Sequence, residues 1–317
     1  MIADNWTDYK IIATGNGQKL ERWGDVILLR PDPQVIWPAS FDLASYKGLN
    51  ALYKRSSSGG GQWKTLKHFP DEWTINYGKL RFGIKPMGFK HVGLFPEQAA
   101  NWDLMTELIK STKAKSAQDH PDPKRGAFAG HPSIEGNGVL NGREIKVLNL
   151  FAYTGGASVA CAAAGASVTH VDAAKGMIER AGENTRLSGV KGIRLIVDDC
   201  FKFVSREIKR GNKYDAVIMD PPSFGRGPTG ETWKIEDNLF DLVKLTAGVL
   251  SNNPLFFLIN SYTTGLQPIV IDNILNLALK GFKGTHKGYE LALPTDEGIL
   301  LPCGCSGLWQ ANQANKK

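Results

Sequence analysis

The run MDPPSF, Met219–Phe224, gathers residue types that could do chemistry. Two successive prolines remove two backbone donors and stiffen the turn, so the Asp220 carboxylate and the Pro221 carbonyl form a fixed edge that only accepts hydrogen bonds. Phe224 offers a flat face beside it. Such an edge suits a planar donor: a base turned out of its stack could rest on Phe224 with an amino or ring N–H directed at Asp220, aligned for in-line displacement. An ordinary proline turn is the alternative. Upstream, Thr154, Gly155 and Gly156 lead into the small-residue helix ASVACAAAG, where a missing side chain lets a ligand lie against main-chain amides. This turn lacks G-x-G-x-x-G spacing, and Phe151 and Tyr153 occupy space that a pyrophosphate-binding loop leaves open. Asp172 stands 17 residues after Gly155, at the end of the next strand, where it can accept from both hydroxyls of a ribose. That points to an adenosine and leaves the kind of cofactor open. Asp199, in VDDCFKF, can accept from an adenine amino group with Cys200 against the ring, or it caps the helix that begins near Phe201.

The elements that must position these residues alternate regularly. Strands are predicted at IKVLNLF, SVTHVD, IRLIV, YDAVIMD and LFFLINS, with helical stretches between them that include AAKGMIERAGENTRLSG and DNLFDLVKLTAGVL. GYELALPTDEGILLPCGCSGLWQ leaves no room for a crossover helix, so it reads as an antiparallel hairpin. The expected fold is α/β, a Rossmann-like sheet of seven strands whose last pair is that hairpin. Ahead of it, DVILLRP, ALYKR and LRFGIKP, separated by Gly, Pro and Asp turns, predict a small β-rich domain over residues 1–88, with 89–317 as the second domain. RSSSGGGQ reads as a loop tip. Trp6, Trp23, Trp37, Trp63 and Trp73 serve either the core of that domain or stacking on bases. FPEQAANWDLMTELIKST has helical spacing, with Trp102, Met105, Leu108 and Ile109 on one face, and AQDHPDPKRGAFAGHPSIEGNG is a polar connection.

Composition narrows the classes. With 317 residues and 42% hydrophobic content, the chain can bury a substantial core. No apolar run reaches membrane-spanning length and the N-terminus lacks the pattern of a signal peptide, so a soluble cytoplasmic protein with no membrane contact is expected. Four cysteines are too few for a disulfide scaffold, and the six histidines show no metal-ligand spacing, so no metal is expected. The net charge is +7, and the first 100 residues hold 13 Lys+Arg against 9 Asp+Glu. That excess favours a polyanionic partner or serves solubility.

Residues 147–225, with VLNLFAYTGGAS, VDAAKGMIERAGENTRLSG, DDCFKFV and YDAVIMDPPSF in this order, resemble S-adenosylmethionine-dependent methyltransferases related to the 23S ribosomal RNA cytosine-C5 enzymes. The likeness extends upstream to FKHVGLFPEQAANW, similar to the segment those enzymes fold over the cofactor. The first 80 or so residues look like a bacterial branch rather than the RNA-binding module of the characterised enzymes. The resemblance implies a class I methyltransferase with S-adenosylmethionine as cofactor and RNA, ribosomal RNA first, as partner. It places Phe95 and Gln98 over the cofactor, Asn149, Phe151, Tyr153, Thr154 and Gly155 around its methionine part, Asp172 and Ala173 at the ribose, and Asp199 and Cys200 at the adenine. Asp220 stands at the reacting end, with Pro221 and Phe224 orienting the acceptor. Two positions depart from the family: Ala99 stands where its upstream segment ends in arginine, and Thr263 where cytosine-C5 members carry a nucleophilic cysteine. A threonine hydroxyl is too basic to replace a thiolate; Cys303 and Cys305 could approach from the last hairpin or belong to the core. Methylation of protein or small molecules, a non-catalytic RNA-binding relative and a nicotinamide-dependent dehydrogenase are the rival readings. GPTGETWKIED, Gly227 to Asp237, is either a lid or a surface loop in which Trp233 anchors a helix start.

Overall fold

The computed structural model describes residues 1–56, 60–119, 143–226 and 232–312. Tyr9–Gly15 (β1), Gln18–Trp23 (β2) and Val26–Pro31 (β3) form an antiparallel meander. Asn16 and Gly17 both take positive φ, 53° and 75°, which gives the first turn the twist that its strands require. Ala51–Arg55 (β4) pairs in parallel with β3 and antiparallel with Gly61–Thr65 (β5), completing a five-stranded sheet. The tip of RSSSGGGQ lies outside the described residues. Trp73–Tyr77 (β6) and Leu80–Ile84 (β7) form a separate hairpin.

The five tryptophans of this part are structural. Trp23 is fully buried, and the other four are half-buried with each indole N–H bonded within the protein: Trp6 to Pro96 O, Trp37 to Thr14 Oγ1, Trp63 to Met87 O and Trp73 to Trp23 O. Glu21, inside the sheet, accepts from Arg30 Nε at 2.6 Å, Arg30 Nη2 at 2.9 Å and the Tyr9 hydroxyl at 2.6 Å. Burial raises the pKa of Glu21, but Arg30 and Lys19 outweigh it and hold the carboxyl down at about 2. Because the folded-state pKa is depressed, this pairing stabilises the protein above the ordinary carboxylate pKa of 4.5, and the contribution fades as pH falls toward about 2. Glu21→Gln leaves a buried guanidinium without its counter-charge. Urea denaturation at pH 7 should show a loss of about 3–5 kcal/mol, whereas a loss within error would mean that water reaches Arg30.

Ala99–Asp119 (α1) follows, with Trp102, Met105 and Ile109 buried, as its spacing predicts. Lys146–Leu150 (β8), Ser167–Asp172 (β9), Ile193–Val197 (β10), Ala216–Met219 (β11) and Phe256–Ser261 (β14) are parallel. Between β11 and β14 lie the short paired strands Phe224–Arg226 (β12) and Thr232–Lys234 (β13). Gly284–Pro294 (β15) and Leu300–Ala311 (β16) form the terminal hairpin, and β16 runs antiparallel to β14. The order is β10-β9-β8-β11-β14-β16-β15, the seven-stranded sheet expected from the sequence. Gly156–Ala163 (α2), Lys175–Leu187 (α3), Cys200–Lys209 (α4), Ile235–Ala247 (α5) and Pro268–Ala278 (α6) cover its faces.

One buried cluster runs from Ile11, Trp23 and Phe82 through Trp102 of α1 to Val147, Ile218 and Phe256, so both sheets share a core. The opposite face of the large sheet is closed by a second cluster that includes Leu148, Phe203, Leu242 and Ile271. Among the described residues, no helix is long and apolar enough to cross a membrane.

Candidate active site

Chain order reverses its direction across the sheet between β8 and β11, and a crevice opens there at the carboxyl ends of the strands. The segment leaving β8 is strained. Phe151 and Tyr153 have φ of 53° and 50°, a left-handed conformation that bulky residues avoid, and Gly155 follows at 87°. Its surroundings hold it in place. Tyr153 N donates to Asp172 Oδ2 at 2.9 Å, Thr154 Oγ1 donates to Gly93 O at 2.6 Å, and Asn184 Nδ2 donates to Thr154 O at 2.8 Å. Asn184 Oδ1 in turn accepts from Gly83 N at 2.9 Å, so one side chain of α3 ties the β7 strand to the glycine turn. A Cβ at Gly155 would stand 3.1 Å from Ala181 Cβ, so the close approach of α3 reinforces the need for glycine. Strain of this kind costs about 1–3 kcal/mol per residue and persists where a site requires it.

A cavity of about 660 Å³ opens over this turn, lined by Phe151, Tyr153, Asp172, Ala173, Asp199 and Asp220 among others. A recess of about 50 Å³, walled by Gln98, Asn149, Thr154, Gly155 and Gly156, shares Phe95, Phe151, Tyr153 and Asp220 with it. Most of the residues singled out in the sequence therefore meet in one place. Asp172 Oδ1 accepts from Ala174 N at 2.8 Å, so each of its oxygens already holds one amide and retains a further lone pair for a ligand. Burial raises its pKa. Asp199 both caps α4, accepting from Lys202 N at 2.9 Å, and faces the cavity.

Two expected placements need correction. Cys200 does not stand on the cavity wall: α4 turns its side chain into the apolar core, where burial pushes its pKa above the usual range. Phe224 does not face the cavity either. Pairing of β12 with β13 turns its ring outward, 53% exposed, with the Arg226 guanidinium 6.0 Å from its centre. Trp233 takes the inner position, its indole N–H donating to Pro222 O at 2.5 Å and its ring 5.3 Å from Phe151, just ahead of α5. It is thus the anchor of a helix start; Gly227–Glu231 lie outside the described residues.

Sequence reasoning missed the other half of the cavity. Glu97, 5% exposed, lines it together with Tyr262, whose hydroxyl accepts from Gln98 Nε2 at 2.6 Å. Burial raises the Glu97 pKa, and burial together with the Glu97 charge pushes Asp220 up to about 7. Lys19, Arg30, Asp32, Lys90 and His91 form the wall opposite. Glu97 sat between two residues already singled out, Phe95 and Gln98, and that neighbourhood was the available signal. Cys303 lines the cavity, whereas Cys305 is core. The Cys303 thiol donates to Leu301 O at 3.3 Å, and burial, then Glu97, raises its pKa well above the usual value. Thr263 Oγ1 is shared with Ser223 Oγ at 2.6 Å. Among the described residues no group of three or more His, Cys, Asp or Glu is placed to hold a metal ion.

Residues 139–265, which carry this turn and part of the cavity's lining, match the family described as S-adenosylmethionine-dependent methyltransferase. Over this stretch the chain is similar to those enzymes. A ribosomal RNA large subunit methyltransferase K/L of Shewanella frigidimarina is 34% identical over 146 residues, 42% of this chain and 20% of that protein. The chain thus matches about a fifth of the length of that curated relative. The crystal structure of a SAM-dependent methyltransferase from Agrobacterium tumefaciens superposes with a TM-score of 0.84 at 29% identity, over 98% of this chain and 94% of that one. A putative methyltransferase complexed with S-adenosylhomocysteine (SAH) shares the fold, with a TM-score of 0.69 at 19% identity over 96% of this chain and 75% of that one. The large sheet, numbered from β8 as its first strand, has the order 3-2-1-4-5-7-6.

The residues present fit an adenosyl sulfonium cofactor. The Gly155 turn, held against α3, brings main-chain amides at the start of α2 to the wall of the small recess. Asp172 and Asp199 bring acceptor oxygens to the ends of β9 and β10. Gln98, Asn149 and Thr154 would hold the amino-acid end, Asp172 with Ala173 the ribose, and Asp199 the adenine edge.

Proposed function

We propose that this protein is an S-adenosylmethionine-dependent methyltransferase that acts on a base of RNA, ribosomal RNA first, in the cytoplasm. The observation that carries the reading is the position of Asp220: it closes the cavity opposite the Gly155 turn and shares the recess with it. S-adenosylmethionine, when bound, supplies a methyl group on a sulfonium centre for in-line displacement. Asp220 and the Pro221 carbonyl align the N–H of the acceptor, and the carboxylate takes the proton that the nitrogen loses. The neighbouring Glu97 charge raises the proton affinity of Asp220, and Gln98 fixes the Tyr262 hydroxyl in the same cavity. The ribosomal RNA methyltransferase name borne by the curated relative supports RNA as substrate.

Nitrogen is the favoured acceptor. Methylation at pyrimidine C5 needs a thiolate to add at C6, and the cysteine nearest the reacting end, Cys303, is held protonated with its hydrogen on a carbonyl. Cys303→Ser should therefore keep kcat within a factor of about three. A loss of activity together with loss of a covalent RNA adduct on denaturing gels would make C5 the target.

Mass spectrometry of ribosomal RNA nucleosides from cells with and without the gene tests the reading. One methylated nucleoside should depend on the gene. Identical nucleoside sets, with SAH binding intact by calorimetry, would move the substrate to protein or a small molecule; absence of SAH binding would leave a non-catalytic relative. The wall residues Lys19, Arg30 and Asp32 support a role of residues 1–88 in holding substrate.

A further inference from the structure

A ladder of rings leads from the surface to the reacting end. Phe89, 44% exposed, lies 5.3 Å from the His91 ring; His91 lies 5.1 Å from Phe95, and Phe95 lies 5.4 Å from both Tyr153 and Tyr262. Burial, with Arg30, Lys90 and Lys19 close by, lowers the His91 pKa to about 3, so the ladder is neutral throughout at physiological pH. Across the cavity stands a second aromatic and cation pair, Phe224 with Arg226. Lys90 and Arg226 line the same cavity, and neither makes an ion pair with a carboxylate among the described residues.

Exposed rings beside cations match one class of ligand in their chemistry. Every base has a face that stacks on an aromatic ring, and every linkage carries a charge that a lysine or arginine takes. A small substrate held inside the cavity would have no use for rings directed outside it.

We propose that these two pairs form a track for single-stranded RNA. Neighbouring bases stack on Phe89 and Phe224, their phosphates meet Lys90 and Arg226, and the nucleotide between them turns into the cavity toward Asp220. The track rests on the reading of the protein as an RNA-base methyltransferase.

Fluorescence anisotropy of a labelled nine-nucleotide single-stranded RNA, titrated with the full chain in saturating SAH, tests it. The single strand should bind at least about tenfold more tightly than a duplex of the same composition. Phe89→Ala and Phe224→Ala should each weaken it by about 5- to 100-fold. Lys90→Gln and Arg226→Gln should each lower the slope of log affinity against log salt by about 0.7. SAH calorimetry on every variant reports whether fold and cofactor seat survive. Wild-type RNA affinity in both aromatic variants, or displacement of the RNA by polyglutamate as readily as by unlabelled RNA, overturns the track. The two readings fail separately. A gene-dependent methylated nucleoside with no single-strand preference rejects the track alone; ring-dependent binding without that nucleoside rejects the methylation reading alone.

Discussion

Asp220→Asn is expected to lower kcat for methyl transfer by about 10²- to 10⁴-fold while SAH affinity changes by less than about threefold. The asparagine keeps the shape of the turn but replaces a proton acceptor with an amide whose NH₂ group repels the incoming N–H. Asp220 also sets a pH dependence. Burial, then the neighbouring Glu97 charge, holds its carboxyl near 7. Below that pH the group is protonated and its edge no longer only accepts. Single-turnover rates should therefore rise with pH to a plateau, with an inflection near 7 that is absent in Asp220→Asn. Stability should move oppositely. A carboxyl that binds its proton more tightly in the folded than in the unfolded chain loses stability for the fold as pH rises from about 4 to about 7. At pH 8 the asparagine variant should thus melt at a higher temperature than the wild type. A variant that is both active and less stable would show that Asp220 is a structural group.

Asp172→Ala carries the second large effect, a loss of SAH affinity of about 10²- to 10³-fold by calorimetry. Two contributions combine. The carboxylate would make charge-assisted hydrogen bonds to the ribose, worth about 1.5–3 kcal/mol each. It also holds the Tyr153 and Ala174 amides, and through Tyr153 it sustains a backbone conformation with φ of 50° that an aromatic residue does not adopt unaided. Asp172→Asn keeps acceptor capacity at one oxygen and should fall between alanine and wild type. Affinity within threefold of wild type in the alanine variant would place the ribose elsewhere.

The large sheet was legible because each strand-to-helix passage changes period, and because Asp172, Asp199 and Asp220 fall at strand ends where side chains reach the crevice. The rest depended on tertiary packing. Phe224 was misplaced since its direction is decided by the pairing of β12 with β13, residues on either side of a loop. Cys200 was misplaced because a helix N-terminus can turn a side chain to the ligand or to the core, and nothing local decides between them. Lys90 and Glu97, Tyr262 after β14, and Cys303 on β16 come from three separate segments that meet only in the folded cavity. The left-handed backbone at Phe151 and Tyr153 has no sequence signature, since aromatic residues argue against it.

Asn184 grips Gly83 with its oxygen and Thr154 with its amide hydrogens, so the strand that precedes the substrate wall and the loop that seats the cofactor are fastened to one rigid side chain. Ordering either end reduces the entropy still to be lost at the other. Thermodynamic linkage then requires reciprocity: SAH should strengthen RNA binding by the same factor by which RNA strengthens SAH binding, and cutting the Asn184 amide should abolish that coupling before it abolishes either affinity.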